Sequence, residues 1–364
     1  MKIDALSGLI LPGGGARGAY QVGVLKALAD LVDSETVPFQ AISGISAGAI
    51  NATALAQNAD NFASAVDRLE RIWTSMSPDD VFTMDYGLLQ RFTARTGKPR
   101  SLFENSPLVE LLERELSGPE RVARQLEEGN LRGLAVTASN YSTAQATTFF
   151  QSKLDTLNWN ERRRDSVRTE IGVPHVLASA ALPLLFPAQR VGDEFFVDGA
   201  LRMTEPLRPV IKMGAERILI IGVRNETLPL DEEQGFEPGI AEIAGYTLDS
   251  LFAENLNADI ERMEQVNRLL DQMGWWGRRR SEFRRVRVMV VRPSQDLRVI
   301  AQRFASELPR GIRMFLRTIG GWGHEWRLPS FLLFHGAFAR ELIDLGYRDG
   351  LRQRPQVEAF FRDP

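Results

Sequence analysis

The chain has 364 residues, of which 44% are hydrophobic and 25% are charged. These ordinary globular values exclude a disordered or collagen-like chain. The formal net charge of −3 argues against an obligate nucleic-acid binder, which usually carries a basic excess. The length suits one large domain with an added cap or tail, or two domains. Because the chain has no Cys, disulfides, thiolate zinc sites and a cysteine nucleophile are excluded.

The start of the chain does not resemble a secretory leader. Lys2 is the only basic residue before the apolar run 6–11, which ends at Pro12-Gly13 without a cleavage pattern. No stretch approaches about 18 uninterrupted apolar residues, the length that spans a bilayer. We therefore expect a cytoplasmic protein that contacts a membrane, if at all, as a peripheral protein.

The first 57 residues predict the opening of a parallel α/β sheet. Residues 6–11 predict a buried strand, and residues 19–32 carry apolar side chains at helical spacing. Residues 39–43 predict a second strand and residues 47–57 a helix behind it. A strand, a glycine turn and a helix, repeated once, are typical of α/β folds with parallel strands.

Residues 60–130 are more charged and predict helices, two of which begin at Ser106-Pro107 and Gly118-Pro119. Later segments with strand composition are 133–140, 147–151, 194–197, 217–223 and 286–291. Residues 240–273 predict one long helix. We therefore expect one domain over residues 1–293 with a helical insertion at about 60–130. A mostly helical extension over 294–364 is expected to pack on this domain.

The loop after the first strand, residues 13–18, reads GGGARG. Read as G-x-G-x-x-G, it fits the fingerprint of dinucleotide-binding folds. That interpretation needs an acidic residue at the end of the second strand to hold the ribose, and this strand ends in Ser43-Gly44. Asp33 and Glu35 stand at about the right distance along the chain, but at the end of the preceding helix.

The same loop also fits an anion-binding role that involves no nucleotide. Consecutive glycines allow backbone N–H groups to point outward together, and the following helix contributes its positive end. Such a nest stabilises an anion, including the oxyanion of an acyl-transfer intermediate. Arg17 either holds the shape of this loop or lies near the developing charge.

Ser46 is the candidate nucleophile. Residues 44–48 read GISAG and match G-x-S-x-G between a predicted strand and a predicted helix. In that context small residues allow a sharp turn that lifts the central serine out of the sheet.

A serine hydroxyl needs a base within hydrogen-bond reach. Asp198 follows the apolar residues 195–197 and precedes Gly199, so it is expected at a sheet edge where burial would raise its pKa toward that of a useful base. His324 or His335 would instead complete a Ser-Asp-His order along the chain. His175 lies in an apolar helical stretch and is more typical of a packed imidazole.

These motifs resemble those of the patatin-like phospholipases, a family of lipid acyl hydrolases with a Ser-Asp dyad. The three matching motifs are GGGx[RK]G at residues 13–18, GxSxG at 44–48 and DG[GA] at 198–200. Residues 178–187, just before Asp198, are also similar to the family. The resemblance extends over about residues 6–223, and residues 286–293 are similar to a late strand of the family domain.

The resemblance implies a three-layer α/β/α sandwich with a mainly parallel central sheet, a helical cap insertion and a helical C-terminal tail. It implies that Asp198 acts without a histidine, and that no metal or other cofactor takes part. The oxyanion hole would be formed at Gly13, Gly14, Gly15 and Arg17. The implied activity is cleavage of lipid esters, of the phospholipase A or lysophospholipase type.

The expected partner is a lipid or fatty-acyl ester that serves as the substrate. No nucleic-acid partner is expected. Two alternatives stay open: a Ser-His-Asp esterase of soluble esters, and a catalytically silent lipid-binding relative. Three clusters are candidates for contact with a lipid surface, although each also fits a core or a solvated face. They are Leu88, Leu89 and Phe92; Trp275 and Trp276 beside Arg278, Arg279 and Arg280; and Met314, Phe315 and Leu316 with Arg310, Arg313 and Arg317.

Overall fold

The computed structural model describes residues 6–84, 101–153, 164–225, 239–323 and 326–362. The strands are β1 (Ser7–Leu11), β2 (Ala41–Gly44), β3 (Thr83–Met84), β4 (Phe103–Glu104), β5 (Gly133–Asn140), β6 (Ala146–Ser152), β7 (Arg164–Arg168), β8 (Gln189–Val191), β9 (Glu194–Asp198), β10 (Arg217–Ile221) and β11 (Arg287–Val291).

The helices are α1 (Ala19–Leu31), α2 (Ala47–Gln57), α3 (Phe62–Ser75), α4 (Ser106–Glu115), α5 (Pro119–Glu128), α6 (Val173–Ala180), α7 (Arg208–Lys212), α8 (Ile240–Gln272), α9 (Trp275–Arg280), α10 (Leu297–Arg303), α11 (Arg310–Thr318), α12 (Arg327–Leu332), α13 (Gly336–Arg352) and α14 (Arg354–Arg362). The helices and strands predicted for the first 57 residues, and the later strands, are confirmed within a few residues.

One sheet of nine strands organises the described chain. Its order is β11-β10-β1-β2-β5-β6-β7, with β9 paired to β5 and β8 paired to β9. The five strands from β11 to β5 are parallel, whereas β6 and β9 run antiparallel to β5. The short strands β3 and β4 form a separate pair.

Helices cover both faces of this sheet. Along β1, Leu9 and Leu11 belong to the core beneath α1, α2, α3 and α13, while Ile10 belongs to the core beneath α7 and α8. Alternate side chains of a strand point to opposite faces, so a strand that is buried along its whole length, such as β1, needs a cover on each face. The expected three-layer α/β/α fold is therefore confirmed.

The first helix of the predicted insertion contributes to the main core. Phe62 and Trp73 of α3 are buried in the same cluster as the residues of α1. At the other end of the chain, α13 lies against α1 so closely that a Cβ at Gly23 would stand 2.0 Å from the Ile343 carbonyl oxygen. The domain limits at residues 60–130 and 293 stay predictions.

Helix α8 is much longer than the strands of the sheet. It connects the parallel strands β10 and β11, so it runs antiparallel to them. Its 33 residues span about 50 Å, whereas a five-residue strand spans about 17 Å. Helix α8 therefore extends beyond both ends of these strands.

In the described ranges no helix combines the length and apolar character needed to cross a bilayer.

Candidate active site

Ser46 lies at the sharp turn between β2 and α2. Its φ of 56° and ψ of −128° place a non-glycine residue in a strained region that costs about 1–3 kcal/mol. A Cβ at Gly48 would stand 1.9 Å from the Leu11 carbonyl oxygen, and one at Gly44 would stand 2.3 Å from the Gly48 carbonyl oxygen. The turn therefore requires glycine at both positions, which is the physical reason for the G-x-S-x-G pattern.

A second serine holds this turn in place. The Ser46 N–H donates to the Ser179 Oγ at 2.9 Å, and the Ser179 hydroxyl donates to the Thr137 carbonyl oxygen at 2.6 Å. The next residue of β5, Ala138, pairs with Asp198 of β9. One buried hydroxyl thus links the backbone of Ser46 to the strand that positions Asp198. The sequence motifs alone indicated no role for Ser179, although it lies in the family-like stretch 178–187.

Asp198 ends β9 and is 1% exposed. Its Oδ1 accepts the Ala200 N–H at 2.9 Å, while its Oδ2 has no hydrogen-bond partner among the described residues. Burial raises the pKa of Asp198 to about 7, against the opposing effects of the nearby Ser46 hydroxyl and the Ala200 amide. The structure therefore brings Ser46 and Asp198 together, with one carboxylate oxygen free to accept a proton.

The glycine loop touches the same serine. A Cβ at Gly13 would stand 2.9 Å from the Ser46 Cβ, and Gly15 has a φ of 54° that favours glycine. Among the described residues, the N–H groups of Gly13 and Gly14 donate no backbone hydrogen bond. Unpaired amides beside a nucleophile are the groups that can stabilise an oxyanion.

The Arg17 side chain binds residues of α8 and α12. Its Nη1 forms an ion pair with the Asp249 Oδ1 at 2.7 Å, and its Nε and Nη2 donate to the Ser330 Oγ at 2.9 and 2.6 Å. The guanidinium also lies 3.9 Å from the centre of the Phe331 ring. Of the two roles considered from sequence, the structure supports the first: Arg17 fastens the glycine loop to α8 and α12.

Helix α8 also covers the site. The Phe252 ring lies where a Cβ at Gly13 would stand, only 2.1 Å from its Cε1, and it packs against Phe331 of α12. Ser46 is 2% exposed, so side chains around it must move before an acyl ester reaches it. The sequence predicted the helix but contained no signal for this contact, because Phe252 is more than 200 residues from Ser46.

The two described histidines have other partners. The His175 Nδ1 accepts the Gly172 N–H at 3.1 Å, and burial lowers the pKa of this imidazole. His335 caps α13, where its Nδ1 accepts the Ala337 N–H at 3.3 Å. Neither ring is hydrogen-bonded to Ser46 or Asp198. His324 lies outside the described residues.

The geometry does not support a dinucleotide site. Asp33 and Glu35 precede β2, at the sheet edge opposite the glycine loop, so neither can hold a ribose bound at that loop. Within the part of the chain that the structure describes, no group of three or more His, Cys, Asp or Glu residues could hold a metal ion.

The family model of the patatin-like phospholipases matches residues 9–211. This match spans more than half of the chain and includes the glycine loop, Ser46 and Asp198. The chain belongs to the patatin-like phospholipase family. The family resemblance seen in the sequence is thereby confirmed, and the chain is an enzyme of the lipid ester hydrolase class.

Two solved structures match over nearly the whole chain. VipD from Legionella pneumophila is 16% identical with a TM-score of 0.39, and the match covers 97% of this chain and 67% of VipD. Human GIVD cytosolic phospholipase A2, solved with methyl gamma-linolenyl fluorophosphonate, is 12% identical with a TM-score of 0.45. That match covers 98% of this chain and 59% of the human one. No curated protein gives a significant sequence match.

The raised pKa of Asp198 predicts a pH-dependent cost to stability. An exposed aspartate titrates near 3.9, whereas Asp198 titrates near 7 in the folded state and so binds a proton more tightly when the chain is folded. Its stabilising contribution is therefore complete below about pH 4 and is lost as the pH rises through 7.

We expect Asp198→Asn, which keeps the Oδ1 acceptor for Ala200, to increase the free energy of unfolding at pH 8 by a few kcal/mol. At pH 4 the variant and the wild type are expected to be about equally stable. Urea unfolding at both pH values measures this. A variant less stable than wild type at pH 8 would contradict the raised pKa.

Proposed function

We propose that the protein is a serine acyl hydrolase of lipids in which Ser46 is the nucleophile and Asp198 the base. The main support is the buried carboxylate with a pKa of about 7 beside a serine in a strained turn. Such a group is about half ionised at neutral pH and is basic enough to accept a proton. An exposed aspartate, with a pKa near 3.9, would be a much weaker base.

In the proposed reaction the Asp198 Oδ2 accepts the proton of the Ser46 hydroxyl as the Ser46 Oγ attacks the ester carbonyl carbon. The carbonyl oxygen becomes an oxyanion held by the amides of Gly13, Gly14 and Gly15. When the intermediate collapses, the C–O bond to the alcohol breaks and the alcohol takes the proton from Asp198. Water then attacks the acyl-enzyme with Asp198 again as base, which releases the fatty acid and restores Ser46.

The contacts of Arg17 support an indirect contribution to this oxyanion hole. Because its guanidinium binds Asp249 and Ser330, it holds the loop in the conformation that leaves the glycine amides unpaired. The positive end of α2, which begins just after Ser46, adds to the potential that favours an anion there.

The proposed substrates are lipid esters of the phospholipase A or lysophospholipase type, as family membership suggests. The Ser-His-Asp alternative is less well supported because both described histidines cap or pack helices elsewhere. The silent alternative is less well supported because all three family motifs are complete in the sequence. A cytoplasmic location stays a prediction.

Membrane contact is proposed at the carboxyl ends of the parallel strands, where Ser46 lies. Trp275 and Trp276 are exposed, and the Arg279 guanidinium lies 4.8 Å from the Trp275 ring centre. However, the preceding part of α8 is at the opposite edge, where Asn267 pairs with the backbone of Val286 before β11. A membrane bound by these tryptophans would face away from Ser46.

The first two turns of α8 lie beyond the Ser46 edge and expose Ile240, Ile243 and Tyr246. Helix α11 is joined to them, since the Ala241 N–H donates to the carbonyl oxygen of Ile319 just after that helix. Its exposed residues include Arg310, Met314 and Arg317, whereas Leu316 is buried in the core. Apolar side chains beside arginines suit an anionic lipid surface. Leu88, Leu89 and Phe92 lie outside the described residues.

The dyad is tested with purified, folded variants on a short nitrophenyl ester. Ser46→Ala and Asp198→Ala are each expected to lower kcat by at least about 1000-fold, since the two residues act as one unit. His335→Ala is the control and is expected to keep wild-type activity. Full activity of either dyad variant, or loss of activity in the histidine variant, would contradict the mechanism.

The membrane face is tested by co-sedimentation with phosphatidylglycerol vesicles at low salt. Replacing two apolar side chains by carboxylates in I243E/Y246E is expected to weaken binding at least about ten-fold. Each apolar side chain that enters the lipid contributes more than about 1 kcal/mol to the free energy of binding. The matched variant W275E/W276E adds the same two charges and is expected to bind like wild type. The reverse result would assign the membrane face to the tryptophans.

A further inference from the structure

Two small neighbouring cavities lie beside the glycine loop, on the flank formed by the ends of β10 and β11. Val223 and Phe252 join the first cavity to the loop, since they are the side chains that a Cβ at Gly14 or Gly13 would meet. The charged residues that line the two cavities are Arg17, Arg224, Arg292, Arg298, Asp249 and Asp296.

These six charges do not balance. Arg17 is paired with Asp249, and Arg298 is paired with Asp296 at 2.6 Å. The remaining cations have no carboxylate among the residues that line the cavities. The Arg292 Nη2 donates to the neutral amide oxygen of Asn257 at 2.9 Å.

Arg224 is the less satisfied of the two remaining cations. Its side chain is half-buried and lines both cavities. It forms no hydrogen bond or ion pair with any residue that the structure describes. None of its guanidinium nitrogens is among the buried atoms that lack a partner, so the group is open to solvent and its donors are available to a ligand.

The backbone holds Arg224 and Arg292 side by side. They follow the carboxyl ends of neighbouring parallel strands, where the Gly222 N–H donates to the Val291 carbonyl oxygen at 2.9 Å. The Asn225 side chain also donates to the Pro293 carbonyl oxygen at 3.0 Å. The carboxyl edge of parallel strands is where α/β folds bind ligands, and the Ser46 turn lies at the same edge.

We propose that Arg224, supported by Arg292, binds the phosphate group of a phospholipid whose acyl ester lies at Ser46. The planar guanidinium forms two parallel hydrogen bonds to phosphate oxygens, and a second cation beside it adds to the attraction for the single negative charge of the phosphodiester. Arg17 does not take this role because Asp249 and Ser330 occupy its donors. Arg224 is thus a specificity residue that distinguishes phospholipids from neutral lipid esters. This inference rests on the proposed lipid ester hydrolysis at Ser46.

The test compares two substrates with the same acyl chains in mixed micelles, phosphatidylglycerol and diacylglycerol. Arg224→Gln is expected to lower kcat/KM for phosphatidylglycerol at least about ten-fold, the value of one charge-assisted hydrogen bond. Its kcat/KM for diacylglycerol is expected to change by less than about two-fold, because that lipid has no charged group to bind. Arg224→Lys keeps the charge without the planar donors, and a smaller loss is expected.

The matched control is Arg121→Gln, which removes an exposed arginine of α5 that lines neither cavity and is expected to leave both rates unchanged. Because Arg224 has no partner among the described residues, Arg224→Gln is expected to melt at the wild-type temperature. An equal loss on both substrates, or no loss on either, overturns the inference.

Inorganic phosphate distinguishes a headgroup site from a site for the free ion. If it raises the Tm of wild type but not of Arg224→Gln, while the phosphatidylglycerol rates stay equal, the site binds free phosphate and the headgroup assignment is wrong. Activity retained by Ser46→Ala would instead contradict the proposed hydrolase itself, so the two failures differ.

Discussion

The carboxylate of Asp198 is buried with one oxygen held by an amide and the other without a partner in the described part of the chain. Removing a carboxylate from water disfavours its charged form, and at this site the effect is large enough to bring its pKa to about 7. The rest of the site maintains this condition. Strand β9 brings Asp198 to the end of β5, and Ser179 ties the Ser46 turn to the same strand. The burial of Asp198 therefore lowers the stability of the fold at neutral pH, and it gives the proposed base its raised pKa.

The cover over the site and the glycine loop belong to one network. The buried Arg17–Asp249 pair joins the loop to α8, and Phe252 of the same helix packs on Gly13. Separating a buried ion pair leaves two costly charges, so movement of α8 and the conformation of the loop are coupled. The first turns of that helix also carry the apolar side chains proposed to meet the lipid. A lipid surface that binds there would act directly on the element that closes the site.

Much of the fold, and the candidate residues Ser46 and Asp198, could be predicted because they depend on local requirements of the backbone. Gly44 and Gly48 permit the Ser46 turn, and the complete burial of β1 requires helices on both faces of the sheet. The partners of Arg17 could not be predicted, since Asp249 and Ser330 are 232 and 313 residues away along the chain.

Surface features were harder still to predict, because they depend on where the folded chain places a residue and not on a sequence motif. Trp275 and Trp276 have the composition of a membrane contact, but the length of α8 carries them away from Ser46. Arg224 belongs to no motif, and only the unequal pairing of the arginines in the folded chain distinguishes it from other surface cations.

The most direct test of Asp198 as the base is the pH dependence of the rate at which a fluorophosphonate probe labels Ser46, followed by mass spectrometry. The rate is predicted to rise with pH through a single inflection near 7, and Asp198→Asn is predicted to abolish the inflection together with nearly all labelling. Labelling of the Asp198→Asn protein at the wild-type rate, with the same inflection, would show that another group is the base and would contradict the dyad.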